Sequence, residues 1–141
     1  MEASARTILL VEDSPADVYL IRQAIAECGP DIHLAIVPDG GEALAYLRKE
    51  PPFTQAFTPA LILLDFSLPR VNGDQVLTAL RRLPDYHATP VVVFSSASRD
   101  HVEWLCLKLG ANEYIQKPHT IDHFFAAIHA LVSKWLSPGS P

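Results

Sequence analysis

Uninterrupted apolar runs of strand length recur along this chain, each ending in polar residues and followed by helical spacing. Ile8-Leu9-Leu10-Val11, Leu61 to Leu64 and Val91-Val92-Val93-Phe94 have the pattern of strands buried on both faces. His33 to Val37 and Tyr114-Ile115 read as two further strands. Between them, Ser14 can cap a helix with Pro15 at its first position, and Val18, Ile21, Ile25 and Cys28 recur at helical spacing until Gly29-Pro30. Asp39-Gly40-Gly41 leads into Ala43, Leu44 and Leu47, and Val76, Leu80 and Leu83 precede Pro84. Arg99 to Leu109 form a helix that Gly110 can terminate. Thr120 starts the last helix, with Ile121, Phe124, Phe125, Ile128, Leu131, Val132 and Trp135 on one face. The Pro-rich, aperiodic residues 51–59 read as a surface loop. Strand and helix alternate five times, which predicts an α/β fold: a parallel sheet with right-handed crossovers and helices on both faces.

The 141 residues, 49% hydrophobic, suffice for one substantial core, so a single domain over 1–141 with its core at about 7–136 is expected, with no output domain. A net charge of −5 with scattered Lys and Arg argues against direct nucleic-acid binding. Cys28 and Cys106 both fall in apolar helical patterns, as buried free thiols of a reducing compartment would. No signal-peptide pattern or membrane-length apolar run occurs, and a cytoplasmic location is expected.

Sheets of this kind bind ligands beyond the carboxyl ends of their strands, where strand order reverses. Here strand one ends in Glu12 and Asp13, strand three in Asp65, strand four in Ser95 and strand five at Lys117. If strands one and three are neighbours, three carboxylates converge, and such a cluster calls for a cation. An all-oxygen set suits Mg²⁺ better than zinc. A carboxylate beside a metal, an ammonium and a hydroxyl has the parts for phosphoryl transfer. Asp65 would attack, Lys117 would stabilise charge on the phosphoryl oxygens, and Ser95 would report their presence by a hydrogen bond.

Val11-Glu12-Asp13-Ser14, Leu64-Asp65-Phe66-Ser67-Leu68-Pro69, Asn72-Gly73, Ser95 and Lys117-Pro118 together resemble the receiver domain of two-component response regulators over about residues 7–136. The resemblance implies a doubly wound flavodoxin-like (βα)5 fold of strand order 2-1-3-4-5, and a phosphoacceptor at Asp65 served by a histidine kinase. It also implies Mg²⁺, for which Mn²⁺ can substitute, held by Glu12, Asp13, Asp65 and the backbone carbonyl of Ser67. It further implies a cis bond between Lys117 and Pro118, and an aromatic switch at Tyr114 coupled to Ser95. Such a protein is not an enzyme with a separate substrate: it catalyses its own phosphotransfer and slow dephosphorylation. The opening Ile8-Leu9-Leu10-Val11-Glu12-Asp13-Ser14-Pro15-Ala16-Asp17 and the closing Lys134-Trp135-Leu136-Ser137 look more like the stand-alone regulators that accompany phytochrome-type histidine kinases.

In the helix over Arg99 to Leu109, Val102, Leu105, Cys106 and Leu109 supply the core stripe, which leaves Trp104 and Leu107 off it as a candidate partner surface. The family commonly dimerises through this region, so a homodimer is expected. His119 and His123 are spaced as a metal pair but lack a third ligand. Three other readings fit the residues less well. A constitutive interaction module with a decayed site conflicts with the intact acids and Lys117. A small aspartyl-phosphate hydrolase needs a second acid where Ser67 stands. A nucleotide-binding domain needs a Gly-rich loop after a strand, and none occurs.

Overall fold

The computed structural model describes residues 6–66 and 72–136, the side chain of His101 excepted. Five strands, β1 (Thr7–Val11), β2 (His33–Val37), β3 (Leu61–Leu64), β4 (Val91–Ser95) and β5 (Glu113–Gln116), alternate with five helices. These are α1 (Pro15–Ala26), α2 (Gly40–Leu47), α3 (Gly73–Arg81), α4 (Arg99–Leu109) and α5 (Ile121–Trp135). The sheet is parallel throughout, in the order β2-β1-β3-β4-β5. The order reverses between β1 and β3, whose registers pair Val11 with Leu64. Glu12 and Asp65, each one residue further on, therefore start side by side.

The uninterrupted apolar runs work because both sheet faces are covered. Leu9, Val11, Ile62, Leu64, Val91 and Val93 point toward α2, α3 and α4, with Tyr46, Leu80 and Cys106 among their neighbours. Ile8, Leu10, Leu61, Leu63, Val92 and Phe94 point the other way, onto Ile21, Ile25, Phe124 and Ile128 of α1 and α5. Helix starts are set by side-chain caps. Ser14 Oγ accepts from Asp17 N, Asp39 Oδ1 from Glu42 N, Ser98 Oγ from Asp100 N and Thr120 Oγ1 from His123 N. Gly110 ends α4 at φ +114°, where a side chain would meet Arg81 Cγ at 2.8 Å.

Several expectations need correction. Ile121, expected on the buried face of α5, is 62% exposed: as the first residue of the helix it takes no part in the core, and Leu136 at the other end is buried instead. Cys28 lies beyond the end of α1 and is only half-buried, whereas Cys106 is fully buried. The loop over 51–59 is not merely superficial. Phe53 and Ala56 pack against the core, and the Tyr46 hydroxyl donates to Phe57 O at 2.8 Å. Pro84 does not simply stop α3: Pro84–Tyr86 form a 3₁₀ turn whose Tyr86 hydroxyl donates to Leu47 O at 2.7 Å. Finally, the cis bond among the described residues joins Pro51 and Pro52, and the Lys117–Pro118 bond is trans. The two isomers of such a bond differ by only about 0.5–1 kcal/mol, so local packing decides between them.

A carboxylate cluster at the strand ends

Glu12, Asp13 and Asp65 each offer a carboxylate oxygen, and the three lie within 4.8 Å of one another. The cluster follows directly from the topology, since β1 and β3 are adjacent and parallel and end at the same level. Asp65 N donates to Val11 O at 3.1 Å, which extends the ladder by one rung and fixes the residue at the sheet edge. Asp65 and Glu12 are buried, while Asp13 reaches solvent.

Lys117 enters from the end of β5, where its backbone N–H donates to Ser95 O at 2.8 Å. Its ammonium, 7% exposed, donates to Glu12 Oε1 at 2.8 Å and Asp17 Oδ2 at 2.7 Å, and lies 3.6 Å from Asp65 Oδ2. Burial alone would lower its pKa, but the hydrogen bonds to Asp17 and Glu12 and the charges of Asp65 and Glu12 outweigh it and hold the ammonium above its ordinary value. One cation shared among three carboxylates does not compensate them all. Burial, with the charge of Asp65 adding to it, pushes Glu12 up from 4.5 to about 7, against the opposing pull of Lys117 and the Ser14 N–H.

A set of hard oxygen donors with uncompensated negative charge fits a divalent cation. The described members of the expected ligand set, Glu12, Asp13 and Asp65, are together; Ser67 lies outside the described residues, as do Leu68 and Pro69 of the motif. Among the described residues no other such cluster occurs, and His123 Nδ1 is engaged with Thr120 Oγ1 at 2.9 Å rather than with His119. The raised Glu12 has a measurable consequence. Without metal, the folded chain holds a proton on Glu12 between about pH 4.5 and 7, so this group's contribution to stability falls as pH rises through that window. Cation binding must expel that proton. Divalent affinity, measured by titration calorimetry in buffers of different ionisation enthalpy, is expected to rise about tenfold per pH unit below 7 and to level off above it.

Ser95, at the last position of β4, is buried, and its Oγ accepts from Ala97 N at 3.3 Å. Ser98 is taken up in capping α4 and Ser96 is exposed, whereas the Ser95 side chain is buried at the end of β4. Tyr114 is turned inward and buried; its hydroxyl donates to Ala97 O, and the Arg99 guanidinium lies 5.8 Å from its ring centroid. Ser95 and Tyr114 thus both bond to Ala97, the first at its N–H and the second at its carbonyl. Trp104 and Leu107 are 63% and 44% exposed on α4, with Lys108 Nζ 5.4 Å from the Trp104 ring centroid. The residue that sequence reasoning passed over is Asp17, in the first turn of α1. Its signal was positional: a helix that starts immediately after β1 places its first turn over the β1 strand end.

Comparison with known proteins agrees with this geometry. Response regulator Rcp1 of Synechocystis is 33% identical over 131 residues, 93% of this chain and 89% of Rcp1. The phosphorylated cyanobacterial phytochrome response regulator RcpA superposes with a TM-score of 0.88 at 36% identity, covering 96% of each chain. The Mn(2+)-bound form of Rcp1 gives 0.88 at 32% identity, covering 96% of this chain and 97% of that one. The family description matching the sequence, response regulator receiver domain, spans residues 8–129. With its strand order, its strand-end acids and a family match over most of its length, the chain belongs to the response regulator receiver domain family.

Proposed function

We propose that Asp65 accepts a phosphoryl group from a histidine kinase in a Mg²⁺-dependent step and that the chain signals by changing its protein contacts. The observation that carries this reading is the convergence of Glu12, Asp13 and Asp65 with the Lys117 ammonium at the strand-order reversal. An Asp65 carboxylate oxygen forms the new bond to phosphorus while the donor's nitrogen or oxygen leaves with the electron pair, giving an acyl phosphate. Glu12, Asp13, Asp65 and the Ser67 carbonyl would hold Mg²⁺, or Mn²⁺ in its place, and the cation would supply charge neutralisation at the phosphoryl oxygens. Lys117 provides the fixed cation on the other side. Ser95 turns its hydroxyl to donate to a phosphoryl oxygen once one is present; the turn draws Oγ away from Ala97 N, and Tyr114, bonded to the same residue's carbonyl, registers the change.

A phytochrome-type kinase is the favoured donor, because the similar proteins RcpA and RtBRR are a phytochrome and a bacteriophytochrome response regulator. No described helix is long and apolar enough to cross a membrane. The test is labelling with a small phosphodonor and Mg²⁺. The native chain should take up one acid-stable, base-labile phosphoryl group, Asp65→Asn should take up none, and unchanged labelling of that variant would sink the assignment.

The exposed Trp104 and Leu107 favour a second copy of the chain as a partner on α4. Trp104→Ala should weaken dimerisation by about 2 kcal/mol, roughly thirtyfold, as measured by analytical ultracentrifugation. A native chain that stays monomeric with and without phosphodonor would contradict this interface.

A further inference from the structure

Asp17 has no part in the roles assigned above, yet it makes the shortest of the Lys117 ion pairs, 2.7 Å against 2.8 Å for Glu12 and 3.6 Å for Asp65. Its placement is fixed twice over. Its backbone N–H is bonded to the Ser14 cap at 3.3 Å, and only Glu12, Asp13 and Ser14 separate the end of β1 from the start of α1. Its side chain is 25% exposed, at the edge of a cleft of about 240 Å³ that also reaches Lys117, Pro118 and Thr120. This carboxylate therefore keeps part of its hydration while offering a full charge to an ammonium that has lost nearly all of its own.

We propose that Asp17 is a positioning residue for phosphoryl transfer, tethering Lys117 so that its ammonium is aimed at Asp65 before the phosphoryl group arrives. An ammonium has three protons on a long, freely rotating stem. Glu12 takes one from the β1 side and Asp17 one from the α1 side, and the two directions together orient the third toward Asp65, which lies just beyond direct hydrogen-bond reach. A phosphoryl oxygen added to Asp65 would fill that remaining gap without reorientation of the lysine. Glu12 alone cannot fix the direction, because one hydrogen bond leaves rotation about its axis open. Asp17 does not belong to the carboxylate cluster that fits a cation, so its effect acts through Lys117.

The inference rests on Asp65 being the phosphoacceptor, and its tests separate the two claims. Asp17→Ala should label about tenfold more slowly than the native chain at saturating Mg²⁺ and acetyl phosphate, since misdirecting a catalytic donor costs at least that much. In a Lys117→Met background the same substitution should change nothing, because the group it positions is gone. Labelling of Asp17→Ala within twofold of native, or a tenfold loss that persists beside Lys117→Met, would overturn the tether. A readout that needs no phosphodonor is the ¹⁵N resonance of the Lys117 ammonium. It should be protected from solvent exchange in the native chain and in Asp65→Asn but lost in Asp17→Ala, and its persistence there would equally overturn the proposal.

Discussion

Lys117→Met is expected to slow phosphoryl transfer to Asp65 by about 10²-fold at saturating Mg²⁺ and phosphodonor. Methionine keeps most of the aliphatic stem that fills the site but removes the charge, so the loss is electrostatic rather than a packing defect. The same substitution should strengthen divalent cation binding several-fold, because Glu12 and Asp65 of the carboxylate cluster lose the ammonium that now competes for them. Slower transfer with tighter metal binding is a pair of opposite signs that general unfolding cannot produce. Initial-rate labelling and a Mg²⁺ titration on the same preparation read both, and a variant that labels at the native rate would remove Lys117 from the chemistry.

Gly73→Ala should lower stability by about 2–3 kcal/mol and slow labelling as well. A Cβ at this position would come within 2.6 Å of Phe66 Cα and 2.8 Å of Asp65 O, both backbone atoms that cannot turn aside. The start of α3 is pressed directly against the backbone of Asp65, the proposed phosphoacceptor, and Phe66, with Gly73 N donating to Phe66 O at 3.3 Å. Relief of the clash must displace either the helix or Asp65. Thermal unfolding should show a midpoint lower by roughly 5–10 °C, and a variant that melts with the native chain would mean that the two segments separate at no cost.

The uninterrupted apolar strands could be read from sequence because burial on both faces leaves no polar position to confuse the period. The end of the helix over Arg99 to Leu109 was readable because Gly110 stops it, and the structure adds the Ser98 cap at its start. Glu12, Asp13, Asp65, Ser95 and Lys117 stood out as polar residues at the ends of apolar runs. What was not legible involves distance across the fold. Asp17 looks like an ordinary first-turn helix acid until β5 brings Lys117, a hundred positions later in the chain, against it. Asn72-Gly73 reads as a turn, and its contact with Phe66 depends on how α3 docks. Ile121 fits the apolar face of α5 by periodicity alone, which cannot tell whether the first residue of a helix meets the core. Residues 51–59 look like solvent-exposed loop because proline and polar residues dominate, while Phe53 and Ala56 find the core through tertiary contacts.

Borohydride reduction of the chain after incubation with acetyl phosphate and Mg²⁺, followed by peptide mass mapping, locates the phosphorylated carboxylate directly. An aspartyl phosphate is reduced to homoserine, and the conversion should appear at position 65, in Mg²⁺ but not in EDTA. Homoserine at position 13 or 12 instead, or a yield at position 65 that EDTA leaves unchanged, would contradict the assignment of Asp65 as the metal-dependent phosphoacceptor.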